Sequence, residues 1–152
     1  MNVREAKVSD VETICSLINE YAEQDMMLFR SRAEIYENLQ SFIVADDKGK
    51  VVGCESLGVI WKDLAEIKSL AIATTRKGEG IGSEIVKFAV EKAGRLGVEK
   101  VFVLTLIPGF FEKQGFSVIE KDKLPMKVWK DCARCPKQDH CDETAVIREA
   151  GE

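Results

Sequence analysis

The spacing of apolar residues in the first part of the chain predicts a short strand, two helices and a hairpin of two strands. Residues 3–6 form the strand, and each helix begins at a capping box, Ser9 with Glu12 and Ser31 with Glu34. The apolar faces recur at the helical period and consist of Val11, Ile14, Cys15, Ile18 and Tyr21 in the first helix and Ile35, Leu39 and Phe42 in the second. Residues 42–60 then form two strands joined by the Asp-Lys-Gly turn at 47–49.

The rest of the pattern predicts strands alternating with helices. Residues 65–72 form a strand, and a glycine-rich segment separates it from a helix whose apolar stripe comprises Ile81, Ile85, Phe88 and Ala89. That helix ends near residues 94–97, and a strand at 100–106, a short helix at 108–114 and a strand at 115–121 follow. The order predicts an α/β (α+β) fold, with a mixed central sheet of about six to seven strands flanked by helices. We expect residues 1–152 to form a single domain that includes a cysteine-rich segment at 131–142.

Composition narrows the classes of protein to consider. The chain has 152 residues, of which 45% are hydrophobic and 32% charged, as in ordinary soluble globular proteins. Its net charge of −4, with acidic and basic residues intermixed, argues against a nucleic-acid partner. The N-terminal residues lack the apolar core of a signal peptide, and no apolar run has membrane-spanning length. We therefore expect a cytoplasmic protein with no membrane partner, and the sequence leaves open whether it forms a homodimer.

The glycine-rich segment between the strand at 65–72 and the next helix is the first candidate for chemistry. Gly78, Gly80 and Gly82 stand where the helix begins, and unpaired amides at a helix start favour phosphate oxygens. The G-x-G-x-G spacing differs from the dinucleotide fingerprint, and the segment lacks the Gly-Lys-Ser/Thr of a Walker loop. A flexible turn without a ligand is the alternative.

The segment LAIATTRKGEGIG, followed by a helix, a strand and FFEKQGF, resembles the GNAT superfamily of N-acetyltransferases. The resemblance extends over residues 1–120. The phosphate motif of that superfamily, Arg/Gln-x-x-Gly-x-Gly/Ala, is matched by Lys77, Gly80 and Gly82, with lysine as a departure at the first position. A later aromatic motif is matched by Phe110, Phe111, Gly115 and Phe116. The resemblance implies acetyl-CoA as the co-substrate, bound by Leu70, Ile72, Lys77, Gly78, Gly80, Gly82, Ser83 and Phe111.

The same resemblance implies direct attack of an amine on the thioester, with a glutamate as the proton acceptor. Glu66 stands at the position of the catalytic glutamate in histone-acetylating members, and a solvent-facing charge is the alternative. Strand alternation would place Glu66, Lys68, Leu70 and Ile72 on one face. Phe111 replaces the tyrosine acid of many members, and Thr105 is a candidate hydrogen-bond donor to the leaving sulfur or an ordinary β-branched strand residue.

A narrower resemblance concerns the acceptor. The segments LFRSRAEIYENLQSFIVAD, AEIKSLAI, KVFVLTL and FFEKQGF, followed by LPMKVW, resemble the acetyltransferase domain of N-acetylglutamate synthases, in particular short stand-alone forms. This implies acetylation of the α-amino group of L-glutamate, the first step of arginine biosynthesis. It also implies that Arg30 holds a substrate carboxylate, with Lys127 and Lys130 as further cationic anchors. Solvated surface charge is the alternative for all three residues, and another small amine or amino acid is the alternative acceptor.

The C-terminal segment CARCPKQDHC contains a Cys-x-x-Cys pair, which is a common metal-binding spacing. Cys132, Cys135 and Cys141, with His140 nearby, are candidate ligands for zinc or iron. Reduced thiols or a disulfide are the alternatives. This segment supports a second function hypothesis, a redox- or metal-responsive interaction module built on an acetyltransferase fold.

Overall fold

The computed structural model describes residues 1–124 and 143–151. Its seven strands form one mixed sheet in the order β1–β2–β3–β4–β5–β7–β6. The strands are β1 (Asn2–Glu5), β2 (Phe42–Asp47), β3 (Lys50–Trp61), β4 (Leu64–Ile72), β5 (Lys100–Thr105), β6 (Ser117–Ile119) and β7 (Thr144–Glu149). The α-helices are α1 (Val11–Ala22), α2 (Arg32–Glu37), α3 (Ile81–Arg95) and α4 (Pro108–Glu112). The predicted mixed sheet flanked by helices is confirmed.

The two faces of the sheet carry separate apolar cores. On one face, α3 packs against β2, β3, β4 and β5 through fully buried residues that include Ile43, Ile67 and Ile85. On the other, α1 and α2 pack against β2 and β3 through residues that include Ile14 and Ile35. Because both faces of the central strands are covered, the first four residues of β2 and five consecutive residues near the start of β3, from Val51 to Glu55, are buried.

The strands β4 and β5 separate towards their carboxyl ends. They are parallel neighbours that pair from Leu64 with Lys100 to Ile67 with Val103. Beyond Ile67, β4 continues to Ile72 and pairs only with β3 among the described residues. Among the described residues, the main chain of residues 69–72 therefore has one edge that faces a wedge-shaped opening rather than another strand.

A β-bulge in β4 changes which side chains share a face. Ser69 has φ +56°, and the pairing with β3 advances by three residues on β4 for two on β3 at this point. Leu70 and Ile72 consequently pack with Ile67 on the α3 face, whereas Ala71 packs on the α1 face. The prediction that Glu66 and Lys68 share a face with Leu70 and Ile72 is wrong, because the extra residue reverses the alternation.

The hairpin and the second capping box are confirmed. Lys48 and Gly49 have φ values of +54° and +89°, as a two-residue turn of the primed type requires. At the start of α2, the Glu34 amide donates to Ser31 Oγ at 3.1 Å, and the Ser31 amide donates to Glu34 Oε1 at 3.3 Å. The structure therefore reproduces these two local sequence patterns.

Two local predictions are wrong, and one element was not predicted. A 3-10 turn, Val8–Asp10, precedes α1, and there the Lys7 amide donates to Asp10 Oδ2 at 2.7 Å in place of the predicted capping box of Ser9 with Glu12. Asp10 is also held by Arg4 at 2.8 Å, and this guanidinium keeps the pKa of that carboxyl below its ordinary value. Phe42 begins β2 instead of continuing the second helix, which ends at Glu37. The strand β7, between β5 and β6, was not predicted.

No described helix has the length and apolarity to cross a membrane.

Candidate active site

The glycine-rich loop at 77–83 presents unpaired amides at the start of α3. Gly80 is the N-cap of the helix, and both Gly78 and Gly80 have φ values near +80°, a region that favours glycine. Within the described part of the chain, the main-chain amides of residues 77–83 have no hydrogen-bond acceptor. Donors that converge at the positive end of a 15-residue helix can bind an anion.

Gly82 brings the loop close to the opening between β4 and β5. A Cβ atom at this position would lie 3.1 Å from Cζ of Phe110 and 3.9 Å from Cγ1 of Ile72. The missing side chain therefore lets the first turn of α3 approach the end of β4 and the ring of Phe110. The glycine-rich loop therefore lies next to the end of β4.

Charged side chains around the loop are arranged in pairs. Arg76 contacts Glu79 at 2.9 Å and Asp47 at 2.8 Å, so the negative charge of Glu79 in the loop is balanced. The Arg76 guanidinium also holds the pKa of Asp47 below its ordinary value. Lys77 places its ammonium 5.0 Å from the ring centre of Tyr21, whose hydroxyl donates to the carbonyl oxygen of Ile72 at 2.6 Å. Tyr21 thus joins α1 to both the loop and the end of β4.

Ser83 in the first turn of α3 accepts a hydrogen bond from Gln114. The Nε2 atom of Gln114 lies 2.8 Å from Ser83 Oγ, and the main-chain oxygen of Gln114 accepts from Arg148 at 2.7 Å. Because the Ser83 oxygen already accepts this bond, its own proton can be directed to a ligand over the loop.

The predicted aromatic and threonine residues lie at the other side of the opening. Phe111 is 2% exposed and belongs to the α3 core, where its ring packs edge-to-face against Phe110 and Phe116. The ring next to the loop is that of Phe110. The Oγ1 atom of Thr105 accepts from the Ile107 amide at 2.9 Å, so it holds the chain just before α4.

Glu66 is buried rather than solvent-facing, with 5% of its surface exposed. It lies in the paired part of β4, opposite Gly58 on β3 and Phe102 on β5. Lys68 places its ammonium 3.8 Å from Glu66 Oε1, just before the bulge. The carboxylate therefore lies beside the opening, on the sheet face opposite to that of Leu70 and Ile72.

Arg30 lies away from the loop, immediately before α2. Its side chain is 14% exposed and its Nη1 atom lies 3.6 Å from Glu34 Oε2. A surface hollow of about 330 Å³ adjoins this segment and is lined by Cys15, Ser16, Asn19, Phe29, Ser31 and Arg32. The other predicted anchors, Lys127 and Lys130, and the candidate metal ligands Cys132, Cys135, His140 and Cys141 lie outside the described residues. Within residues 1–124 and 143–151, no group of three metal-ligating side chains was found.

Comparison with known proteins agrees with this architecture. The model of the Acetyltransferase (GNAT) family matches residues 9–116, which contain the wedge and the glycine loop. The chain belongs to the GNAT acetyltransferase family. It is accordingly an N-acetyltransferase.

Relatives of this GNAT chain include amino-acid acetyltransferases. An uncharacterized N-acetyltransferase of Chlorobaculum tepidum is 42% identical over 96% of this chain and 94% of its own length. An amino-acid acetyltransferase of Mycobacterium tuberculosis is 38% identical over 87% of this chain and 77% of its own length.

Two of the solved structures that resemble this chain contain CoA. A Mycobacterium tuberculosis protein in complex with CoA and the ligand NLQ has a TM-score of 0.86 and 32% identity, with 98% of this chain and 99% of that chain covered. N-acetylglutamate synthase from Neisseria gonorrhoeae, in complex with CoA and N-acetyl-glutamate, has a TM-score of 0.89 and 25% identity. That comparison covers 99% of this chain and 35% of the longer Neisseria chain.

Several supporting residues of this acetyltransferase were not singled out from the sequence. Tyr21, Arg76, Gln114 and Asn19 each contact a predicted site residue or its neighbour in the loop. Only for Tyr21 does the sequence offer a partial signal. A tyrosine on the apolar face of an amphipathic helix is buried with a hydroxyl group that needs a hydrogen-bond partner, which indicates a specific contact. Spacing cannot reveal the other contacts that span long stretches of chain, such as that between Gln114 and Ser83.

Glu55 on β3 is a further residue that the sequence did not indicate. It is fully buried opposite Ile43, on the face that α3 covers, between the core residues of β2 and β4. Neither carboxyl oxygen has a hydrogen-bond partner among the described residues. Burial raises the pKa of this carboxyl well above its ordinary value, so Glu55 favours its protonated, neutral form.

Proposed function

We propose that this GNAT enzyme transfers the acetyl group of acetyl-CoA to the α-amino group of L-glutamate, giving N-acetylglutamate and CoA. The observation that carries acetyl-CoA binding is the proximity of the unpaired amides at 77–83 to the open edge of β4. The choice of glutamate is supported by the amino-acid acetyltransferases among the relatives and by the Neisseria synthase bound to N-acetyl-glutamate. The product would enter arginine biosynthesis.

In this proposal the glycine-rich loop binds the pyrophosphate of acetyl-CoA, and the opening between β4 and β5 binds its pantetheine arm. The pyrophosphate would accept hydrogen bonds from the amides of Gly78, Gly80 and Gly82, with the Ser83 hydroxyl and the Lys77 ammonium beside it. The pantetheine arm would pair with the main-chain edge of residues 69–72, next to Leu70 and Ile72. An amide of this edge would then polarise the thioester carbonyl for attack.

The reaction requires that a proton leave the attacking amine. An α-amino group carries an extra proton at neutral pH, and only the neutral amine can attack the thioester carbon. In the proposed mechanism Glu66 accepts that proton, the neutral nitrogen forms the new C–N bond, and the C–S bond breaks to release the CoA thiolate. The second proton, which the nitrogen loses as the amide forms, passes to that thiolate and gives the CoA thiol. Thr105 can donate its hydroxyl proton towards the departing sulfur while its oxygen still accepts from Ile107.

Glu66→Gln tests the proton acceptor. We expect kcat/KM to fall about 100-fold at pH 7, because a general base contributes about 10²–10⁴ in rate. The loss should shrink as the pH rises, since the fraction of neutral amine then increases without a base. Steady-state rates from pH 6.5 to 9.5 measure this, with Glu112→Gln, an exposed glutamate on α4, as the matched control. An identical pH profile for Glu66→Gln and the native enzyme would contradict the role.

The acceptor is tested by assaying the twenty amino acids with acetyl-CoA and following thiol release. We expect glutamate to give the highest kcat/KM, and glutamine and aspartate to be much weaker because each removes or displaces one anionic contact. Arg30→Ala should raise the KM for glutamate about 10-fold or more, since a hydrogen bond to a charged group contributes about 1.5–3 kcal/mol. The KM for acetyl-CoA should change little. Turnover of another amine, with none of glutamate, would refute the proposed acceptor and leave the GNAT assignment standing.

A further inference from the structure

Asn19 on α1 binds both main-chain groups of Arg30. Its Nδ2 atom donates to the Arg30 carbonyl oxygen at 2.9 Å, and its Oδ1 atom accepts from the Arg30 amide at 3.1 Å. The two residues are separated by the connection between α1 and α2. One side chain therefore fixes the end of that connection to the helix.

The pair of bonds requires an amide side chain. A main-chain N–H can only donate and a carbonyl oxygen can only accept, so the partner must offer one acceptor and one donor side by side. Asparagine offers this arrangement, whereas aspartate would place a carboxylate oxygen against the Arg30 carbonyl. Cys15 lies one turn earlier on α1. Its Sγ atom is 3.2 Å from Asn19 Nδ2 and 3.8 Å from the Arg30 carbonyl oxygen, so Cys15 also contacts the Asn19 amide group.

The residues around Arg30 restrict it from other directions as well. Ser31 follows it as the N-cap of α2, and Glu34 in the capping box also lies 3.6 Å from the Arg30 guanidinium. Because Asn19 holds the main chain of Arg30, the Cα atom from which the Arg30 side chain extends has a fixed position. A binding group that is held in place before the ligand arrives loses less conformational entropy on binding.

We propose that Asn19 is a positioning residue for the amino-acid substrate, acting through Arg30. This inference rests on the proposed function, in which Arg30 binds a carboxylate of the acceptor. Asn19 does not touch the acceptor itself. It holds the Arg30 main chain so that the guanidinium is presented in one place.

Asn19→Ala and Asn19→Asp test the inference. Alanine removes both bonds, and the nearly isosteric aspartate keeps the acceptor but loses the donor. For the best acceptor of the amino-acid panel, we expect either substitution to raise KM about tenfold, which corresponds to about 1.4 kcal/mol. The value of kcat and the KM for acetyl-CoA should stay within about twofold. Glu20→Ala, an exposed neighbour on α1, serves as the matched control, and thermal melting monitors the fold of every variant.

A double-mutant cycle with Arg30→Ala separates the possible results. If Asn19 acts through Arg30, Asn19→Ala should have no further effect on the acceptor KM once Arg30 is alanine. An unchanged KM in the Asn19 variants, while Arg30→Ala alone raises it, would overturn this inference and leave the proposed role of Arg30 intact. An equal rise with and without Arg30 would also overturn it. If Arg30→Ala itself left the KM unchanged, both the role of Arg30 and this inference would fall.

Discussion

Gly80→Asp is expected to lower the affinity for acetyl-CoA at least about 100-fold, or about 2.7 kcal/mol. An aspartate at the N-cap of α3 would accept hydrogen bonds from the amides that follow it, and those amides are the proposed donors to the pyrophosphate. Its negative charge would also repel the phosphates. Isothermal titration calorimetry with acetyl-CoA measures the change directly.

The other end of the same helix offers a matched control. Gly97 has φ +84°, compared with +80° for Gly80, and a Cβ atom would meet no other atom within 4 Å at either position. Gly97→Asp should therefore introduce a similar backbone strain, of about 1 kcal/mol, without reaching the loop. If Gly80→Asp and Gly97→Asp bound acetyl-CoA equally well, the loop would not be the pyrophosphate site.

Glu55→Met is expected to make the enzyme more stable, by an amount that grows with pH. In the unfolded chain Glu55 ionises near the ordinary glutamate pKa of about 4.3. In the fold, burial raises that pKa, so the folded state keeps a proton that the unfolded state has lost. Stability therefore falls by up to about 1.4 kcal/mol per pH unit as the pH rises from the unfolded pKa to the folded one. Methionine at this position has no proton to lose.

Urea unfolding of the native enzyme and of Glu55→Met between pH 5 and pH 8 tests this expectation. The difference in unfolding free energy should increase with pH, and Glu37→Gln, which changes an exposed glutamate on α2, is the matched control. Glu55→Gln distinguishes the effect of ionisation on stability from the effect of burying a polar group, because glutamine cannot ionise but is still polar. A difference between Glu55→Met and the native enzyme that did not vary with pH would show that Glu55 does not titrate as described.

The parts of the fold that the sequence predicted have local causes. The primed turn at Lys48 and Gly49, the capping box at Ser31 and the glycine start of α3 each depend on residues within a few positions of one another. The order of the elements up to β6 follows from apolar periodicity in the same way. Strand β7 could not be placed at its position between β5 and β6, because that position depends on pairing between distant parts of the chain.

The bulge at Ser69 and the burial of Glu55 escaped prediction for a related reason. Both faces of the central strands are covered, so the polarity of a residue does not show which face it lies on, and an extra residue such as Ser69 cannot be recognised from the pattern. For the same reason nothing in the sequence shows that Glu55 faces the α3 core. The predicted capping box at Ser9 is absent, because the Asp10 carboxylate, held by Arg4 from β1, accepts the Lys7 amide and the chain begins a 3-10 turn there. Sequence spacing alone does not record that tertiary contact.

The single extra residue at Ser69 divides β4 into two segments that serve different sides of the molecule. Before it, the carboxylate of Glu66 points away from α3, and after it, Leu70 and Ile72 point towards α3 and the glycine loop. In the proposed mechanism acetyl-CoA and the amine therefore approach β4 from opposite sides of the sheet. Each can arrive without displacing the other, so both can be present when the acetyl group moves directly between them, and the protein never has to carry it covalently.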